Sequence, residues 1–456
     1  MSRFMGLIGI VVFVAIGWAL SREKKSIHWR TVGWALALQW VFAVIVLKGA
    51  AMATALSFVP WPRFTGWGVL LLMLAPALVK RFLHWEDKRL NWGIFAVVAF
   101  LALRGNLVGS TFDKVRLAVE ALMSFAKEGA TFVFGSLANP AGSAGMVFAF
   151  VVLPTIIFVA SIFAVLYYLG VMQWVVGAFA RAISRVLKVS GAESVSVAAS
   201  ILMGQTEAPL TIRPFLANLT RSELMVVMTA GMAHVSGAIM VAYVQIAHVS
   251  IVHLLTAVIM TAPGAIMMAK LMEPETGEPE TSGVLKVELP NTDANVLDAA
   301  ARGASEGLHL AFNVAGMLIA FIALVALING LMMAVNPALT MEAVLGMVFR
   351  PFAFVMGVPW HEAGIVGSLL GKRMVVNEFV AFIELGKLTG LSAQAKLIST
   401  FALCGFANFS SIAIQVGGIG ALVPERRGDL ARLGFKAMLA GTLANFLSAC
   451  IAGILM

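Results

Sequence analysis

Two glutamates, Glu207 and Glu378, stand in the middle of apolar stretches. Each is flanked by uncharged hydrogen-bonding side chains, Gln205 and Thr206 beside the first and Asn377 beside the second. A carboxylate inside a hydrophobic run is costly and normally faces a partner or a wet cavity. Asn408 and Ser411, in a third polar interruption, add an amide and a hydroxyl. Converging on one place, these groups form a donor and acceptor set for a neutral, polar, hydroxyl-bearing solute. Phe406, two residues before Asn408, offers a face for a planar ring, although any one of 30 phenylalanines is by default core or lipid packing. The competing reading is that these polar groups only satisfy backbone freed where helices break, and it applies most to Thr206 and Asn377. His234 lies at a Gly/Ser interruption, Gly231 to Gly237. There an imidazole either titrates near neutral pH and carries a proton or stays neutral and hydrogen-bonds to unwound backbone.

Catalytic chemistry finds no support. Trp360-His361-Glu362 begins like a zinc-protease helix, but Ile365 stands where the second histidine is needed. No phosphate-binding Gly-Lys-Ser/Thr loop suggests an ATP-driven pump, and no His/Asp/Cys cluster sits beside either glutamate to make an intramembrane enzyme. The chain is therefore expected to be no enzyme and to need no cofactor or metal beyond a coupling ion. A passive channel would not need the paired hairpins described next.

The elements that must position these residues follow from composition. Of 456 residues, 60% are hydrophobic and only 12% charged. So few charges cannot cover a soluble globule, and disordered chains are apolar-poor. A polytopic, all-α membrane protein remains. The net charge of +9 fits Lys and Arg gathered in cytoplasmic loops and implies no nucleic acid. Two cysteines, Cys404 and Cys450, both in apolar runs, support neither a disulfide framework nor a zinc site. Phe4 to Leu20 is followed by Ser21-Arg22-Glu23-Lys24-Lys25 and reads as a retained first helix.

A crossing needs about 20 apolar residues. Arg22, Lys24, Lys25 and Arg30 place the first loop inside. Lys80, Arg81, Lys88, Arg89, Arg181, Arg185, Lys188, Arg213, Arg221, Arg426, Arg427 and Arg432 keep that alternation and put both termini on the outer side of the cytoplasmic (inner) membrane. Residues 112–128 carry Phe112, Val115, Val119, Leu122 and Met123 on one helical face, as an interfacial amphipathic helix does. Two short helices are expected within 62–105. The stretch 129–188 should supply a transmembrane helix and a connection, its start near Asn139-Pro140-Ala141-Gly142 being loop. Segment 273–309 reads as a cytoplasmic loop, its acidic Pro-containing part 273–295 as a solvated linker, and Glu425-Arg426-Arg427-Gly428-Asp429 as a solvated charge run.

Residues 190–218 and 357–394 are apolar segments broken by polar residues, with like-sided flanks, and are expected to enter the membrane and return. Each precedes an interrupted helix (224–247 and 395–423) and then a continuous one (249–272 and 433–456). The order hairpin, broken helix, helix thus occurs twice in opposite orientation, over 189–272 and 342–456. This is the inverted-repeat plan of secondary transporters with a midplane site.

Gly204-Gln205-Thr206-Glu207-Ala208-Pro209-Leu210, Asn377-Glu378-Phe379-Val380-Ala381-Phe382 and Cys404-Gly405-Phe406-Ala407-Asn408-Phe409-Ser410-Ser411-Ile412 together resemble the concentrative nucleoside transporters. The likeness covers roughly residues 1–60 and 130–456. It implies an elevator-type homotrimer in the lipid bilayer, each protomer having a transport domain and a scaffold domain, with 1–128 and the helix 310–341 in the scaffold. It implies a cation-driven symporter importing nucleosides such as uridine. By the same resemblance Gln205, Thr206 and Glu207, with Ile239, hold the nucleobase, and Glu378, Asn408 and Ser411 hold the ribose with Phe406 nearby. In sodium-coupled members an Asn side chain, a Ser side chain and two backbone carbonyls bind the ion. Here those positions are Ser200 and His234, with the carbonyls of Met203 and Val235. Imidazole nitrogen is a poor sodium ligand, so proton coupling through Glu207 or His234 is expected. Sodium at Ser200, Met203 and Val235 is the alternative.

Overall fold

Inside a bilayer every backbone N–H and C=O must be satisfied by the protein, so each interruption of a helix needs its own partners. The computed structural model describes residues 2–57, 100, 104–139, 147–281 and 293–456, and every regular element among them is helical. Among the described residues, six helices are long and apolar enough to cross a membrane: Trp29–Leu47, Phe148–Tyr168, Arg221–Ala247, Ile251–Met272, Val296–Val335 and Pro424–Leu455.

Two hairpins interrupt this pattern. The first descends through Gly191–Ser200 and returns as a 3-10 run, Ala208–Asn218, because Pro209 and Pro214 cannot sustain an α-helical ladder. The second pairs Trp360–Val375 with Glu378–Lys387. Each is followed by a helix in two pieces, Arg221–Ala233 with Gly237–Ala247, and Ala393–Leu403 with Phe409–Leu422. The continuous helices Ile251–Met272 and Arg427–Leu455 close the two halves.

Caps fix where these pieces begin. Ser190 with Glu193, and Thr220 with Glu223, form capping boxes at the starts of Gly191–Ser200 and Arg221–Ala233. Asn377 and Asn408 cap the half-helices that follow them, accepting from Val380 N at 2.9 Å and Ser411 N at 2.9 Å. The carbonyls orphaned at the breaks are taken up by two buried side chains. Arg373, 1% exposed, donates to Ala402 O, Gly405 O and Asn445 Oδ1. Asn445 Nδ2 in turn donates to Ala233 O at 2.8 Å and Cys404 O at 3.0 Å. One Arg–Asn pair therefore serves both helix breaks.

Val296–Val335 packs along Leu153–Tyr168 through a small-residue stripe. A Cβ on Gly303 would lie 2.5 Å from Ala164 Cβ, and one on Gly307 2.8 Å from Ala160 Cβ. Ser161 Oγ also donates to Ala300 O at 2.9 Å. The resemblance implies that residues 1–128 belong to the scaffold. The helices Ser2–Ala19 and Trp29–Leu47 within them pack instead on Ile251–Met272 and Arg427–Leu455, with Phe13 against Phe446 at 5.4 Å between ring centroids.

Several boundaries differ from the sequence reading. The amphipathic stretch 112–128 is the middle of a longer helix, Leu107–Phe134, so residues 129–134 are helix and not loop. The expected loop 273–309 is helical from Val296, where Asn295 caps the helix by accepting from Asp298 N. Arg302 pairs there with Asp293 and Glu306, each at 2.7 Å. The expected helices within 62–105 fall almost wholly outside the described residues, as do the basic residues at 80–89 and Pro140 to Gly142.

Residues 273–281 are not a solvated linker. Glu273, 3% exposed at its side chain, pairs with Arg22, Arg221 and Lys436 at 3.1, 2.7 and 2.8 Å. Burial raises its pKa, but these three cations outweigh it and hold the carboxyl below the usual range. Farther along, Thr281 accepts from Gly191 N and Ala192 N, and Glu280 accepts from Asn218 Nδ2, so the segment straps the two ends of the first hairpin. Arg426, read as part of a solvated charge run, donates to Ala217 O and Leu219 O, each at 2.8 Å.

Candidate functional site

A cavity of about 500 Å³ lies where the two hairpin tips and two helix breaks meet. Gln205, Thr206 and Glu207 reach it from the first tip, Asn377 and Glu378 from the second. Ser236 and Ile239 come from the first broken helix, and Phe406, Asn408, Ser410 and Ser411 from the second. All eight residues singled out as substrate ligands thus line one space. The remaining wall comes from Val296–Val335 and is apolar, through Leu310, Val314, Met317 and Leu318, except for one amide, Asn313.

Glu378 is the most constrained group. It sits at the start of its half-helix, where the helix dipole favours a carboxylate. Tyr243 Oη donates to its Oε1 at 2.9 Å, and Asn408 Nδ2 donates to its Oε2 at 3.2 Å. The Tyr243 ring is stacked on Phe382 at 4.2 Å between centroids, which fixes the direction of the hydroxyl. The Oδ1 of Asn408 accepts from Ser411 N and Ser410 Oγ, so this amide is used at both ends. A carboxylate held this way keeps lone pairs for two neighbouring hydroxyls of a ligand.

Gln205 ties the two halves together. Its Nε2 donates to Ser411 Oγ at 3.3 Å, and its Oε1 accepts from Gln415 Nε2 at 3.4 Å. Gln415 Nε2 is also 3.1 Å from Met228 O, its second acceptor. Gly231 leaves room for this crossing: a Cβ there would lie 2.5 Å from Gln415 Nε2. By contrast, Thr206 and Glu207 are exposed to the cavity. Glu207 Oε2 accepts only Gly204 N, at 3.2 Å, and Thr206 has no side-chain partner among the described residues.

The residues considered for an ion lie deeper. Ser200, fully buried, donates to Ser196 O at 2.9 Å. Gly237 N donates to Leu202 O, which joins the first tip, with Met203, to the break that carries Val235. His234 is turned back on its own helix, Nδ1 lying 2.7 Å from Ala230 O. A carbonyl only accepts, so Nδ1 carries the proton, and Nε2 has no partner among the described residues. In this conformation the ring is bonded to the backbone at the break. No group of three or more metal-ligating side chains occurs among the described residues.

Tyr243, Gln415 and Asn445 escaped the sequence reading: each lies inside an apolar helix and meets a partner 135, 210 or 212 positions away, so no local pattern marks it. Ser236 belongs to the interruption around His234, and Arg373 stands beside Lys372 at the second hairpin. Asn377 stands between the two readings, since it lines the cavity but its oxygen is taken by the helix cap.

Comparison with known proteins decides the family. Residues 8–60 match the N-terminal model of the Na+ dependent nucleoside transporters, 253–453 match its C-terminal model, and 149–250 match a nucleoside recognition (Gate) model. The nucleoside permease NupC of Helicobacter pylori is 35% identical, over 99% of this chain and 98% of its own length. The chain belongs to the Na+-dependent, or concentrative, nucleoside transporter family. An uncharacterized transporter, YutK of Bacillus subtilis, is 40% identical over the whole of both chains. The sodium/nucleoside cotransporter 2 of Rattus norvegicus is 33% identical, over all of this chain and 63% of its own length. Among solved structures, CNTnw in an inward-facing substrate-bound state superposes with a TM-score of 0.83 at 38% identity, covering 100% of this chain and 98% of that one. A double variant of CNTnw in an outward-facing state gives 0.82. The fold class read from the sequence is the one found: an all-α membrane protein with two re-entrant hairpins and two discontinuous helices, of the elevator type.

Proposed function

We propose that the protein is a secondary active symporter that imports nucleosides such as uridine across the cytoplasmic membrane, both termini lying outside. One observation carries this reading: Glu378, oriented by Tyr243 and Asn408, shares a cavity of about 500 Å³ with the polar tip of the first hairpin. That volume suits a small solute with a planar ring and a hydroxylated end. Glu378, Asn408 and Ser411 take the ribose beside Phe406, while Gln205, Thr206 and Glu207 take the nucleobase against Ile239. The protomers form a homotrimer, and the hairpins and broken helices move as one body past Val296–Val335, carrying the closed cavity across the membrane.

The coupling ion is a proton. Ser200 and His234 make a poor sodium cage, since the serine hydroxyl is spent on Ser196 O and the imidazole faces Ala230 O. Glu207, open to the cavity, carries the proton in this reading. Sodium at Ser200, Met203 and Val235 is the second reading, favoured by the description of the matching family as Na+ dependent.

Calorimetric titration of the purified protein with uridine tests both parts. Proton linkage predicts tighter binding at pH 6 than at pH 8, with or without sodium. An affinity that depends on sodium and not on pH overturns the proton reading, and no binding of any nucleoside overturns the substrate.

A further inference from the structure

Nearly every polar side chain at the cavity is committed to another protein group. Gln205, Glu378, Asn408, Ser410 and Ser411 all are. Three are not: Thr206 on the first tip, Ser236 at the first helix break, and Asn313 on the opposite wall have no side-chain partner among the described residues. Asn313 is the odd member. It is the single polar residue in the part of Val296–Val335 that lines the cavity, between Leu310, Val314, Met317 and Leu318. Asn313 is exposed to the cavity, its carboxamide is available to a ligand there, and a polar side chain at membrane depth that faces a cavity marks a functional candidate. The wall that presents it is held in place by the close packing of Gly303 and Gly307 on Leu153–Tyr168.

We propose that Asn313 is a specificity-determining residue that reads the nucleobase edge from the wall opposite the hairpins. The inference rests on the nucleoside reading above. The ribose end already has Glu378 and Asn408 pre-set against each other, whereas the uncommitted groups Thr206 and Asn313 remain for the base. A carboxamide presents one acceptor and one donor pair side by side, which complements the C=O and N–H that a base edge presents side by side. No other element of this wall can supply that match. Asn313 also belongs to a different packed body from Thr206 and Glu207, so the base would be read from both sides.

The test is a binding cycle on the full-length protein with Asn313→Ala and three ligands: uridine, 3-methyluridine (base-edge N–H blocked) and 2′-deoxyuridine (ribose altered). Loss of one hydrogen bond predicts uridine binding about five- to tenfold weaker. The variant should also lose most of the wild-type preference for uridine over 3-methyluridine and retain its preference over 2′-deoxyuridine. Because Asn313 makes no side-chain hydrogen bond among the described residues and is exposed to the cavity, the variant should melt with the wild type. Equal uridine affinity in variant and wild type, or a collapse of the 2′-deoxyuridine preference alone, would overturn the assignment. A wild-type protein that binds none of the three would instead overturn the nucleoside reading itself.

Discussion

The two hairpins occupy matching places in the two halves of the molecule but solve different problems. The second is regular helix on both arms, and its tip carboxylate, Glu378, is locked by a tyrosine and an asparagine from the two broken helices. The first returns as a proline-containing 3-10 run, and its tip presents Thr206 and Glu207 almost bare. Their bases differ too. The second is closed at its base by Glu362 accepting from Ser392 N and Oγ, both at 2.7 Å, its ion pair between the arms, Lys372 with Glu384, lying closer to the tip. The first is bound by ion pairs: Lys270 with Glu193 and Glu275, and the strap that Glu273 anchors. A preorganised carboxylate suits a part of the ligand that does not vary, such as ribose hydroxyls. A loosely committed tip suits a part that does vary, such as the base.

The largest effect that could break this contrast is expected at Glu378. Glu378→Gln removes the charge from a buried, hydrogen-bonded acceptor and should weaken nucleoside binding about 100-fold or more, as read by calorimetry. Unchanged affinity would remove Glu378 from the ribose site. Tyr243→Phe keeps the ring stacked on Phe382 and deletes only the hydroxyl, so binding should weaken by about tenfold. An equal loss for uridine and 2′-deoxyuridine would show that Tyr243 acts by orienting Glu378 and not by touching the sugar.

The smallest effect concerns the base of the first hairpin. The pKa of Glu273 is held below its unfolded value, so its contribution to stability is present above the ordinary carboxylate range and lost as pH falls through the lower folded value. Glu273→Gln should therefore lower the melting temperature of the purified protein at pH 7. The gap from wild type should close as the pH is brought to about 3. A gap that persists in acid would mean that Glu273 acts by packing and not by charge.

Much of this was legible in the sequence because polar interruptions in apolar runs are rare and local. Glu207, Glu378, Asn408 and Ser411 each stand in such an interruption, and all four line the cavity. Their second ring was not legible. Tyr243 reaches Glu378 over 135 positions and Asn445 reaches Ala233 over 212. Asn313 has helical apolar neighbours on both sides, so only the wall it faces distinguishes it. The strap at 273–281 misled for a physical reason. Acidic and proline-containing segments are usually solvated, but here the cations that bury Glu273 come from Arg22, Arg221 and Lys436, three distant elements.

The central claim is tested most directly by uptake of labelled uridine into proteoliposomes, with a proton gradient and a sodium gradient imposed separately. The account predicts accumulation above equilibrium under an inward proton gradient in sodium-free buffer, abolished by a protonophore. Accumulation driven by sodium at symmetric pH, with none driven by protons, would contradict it.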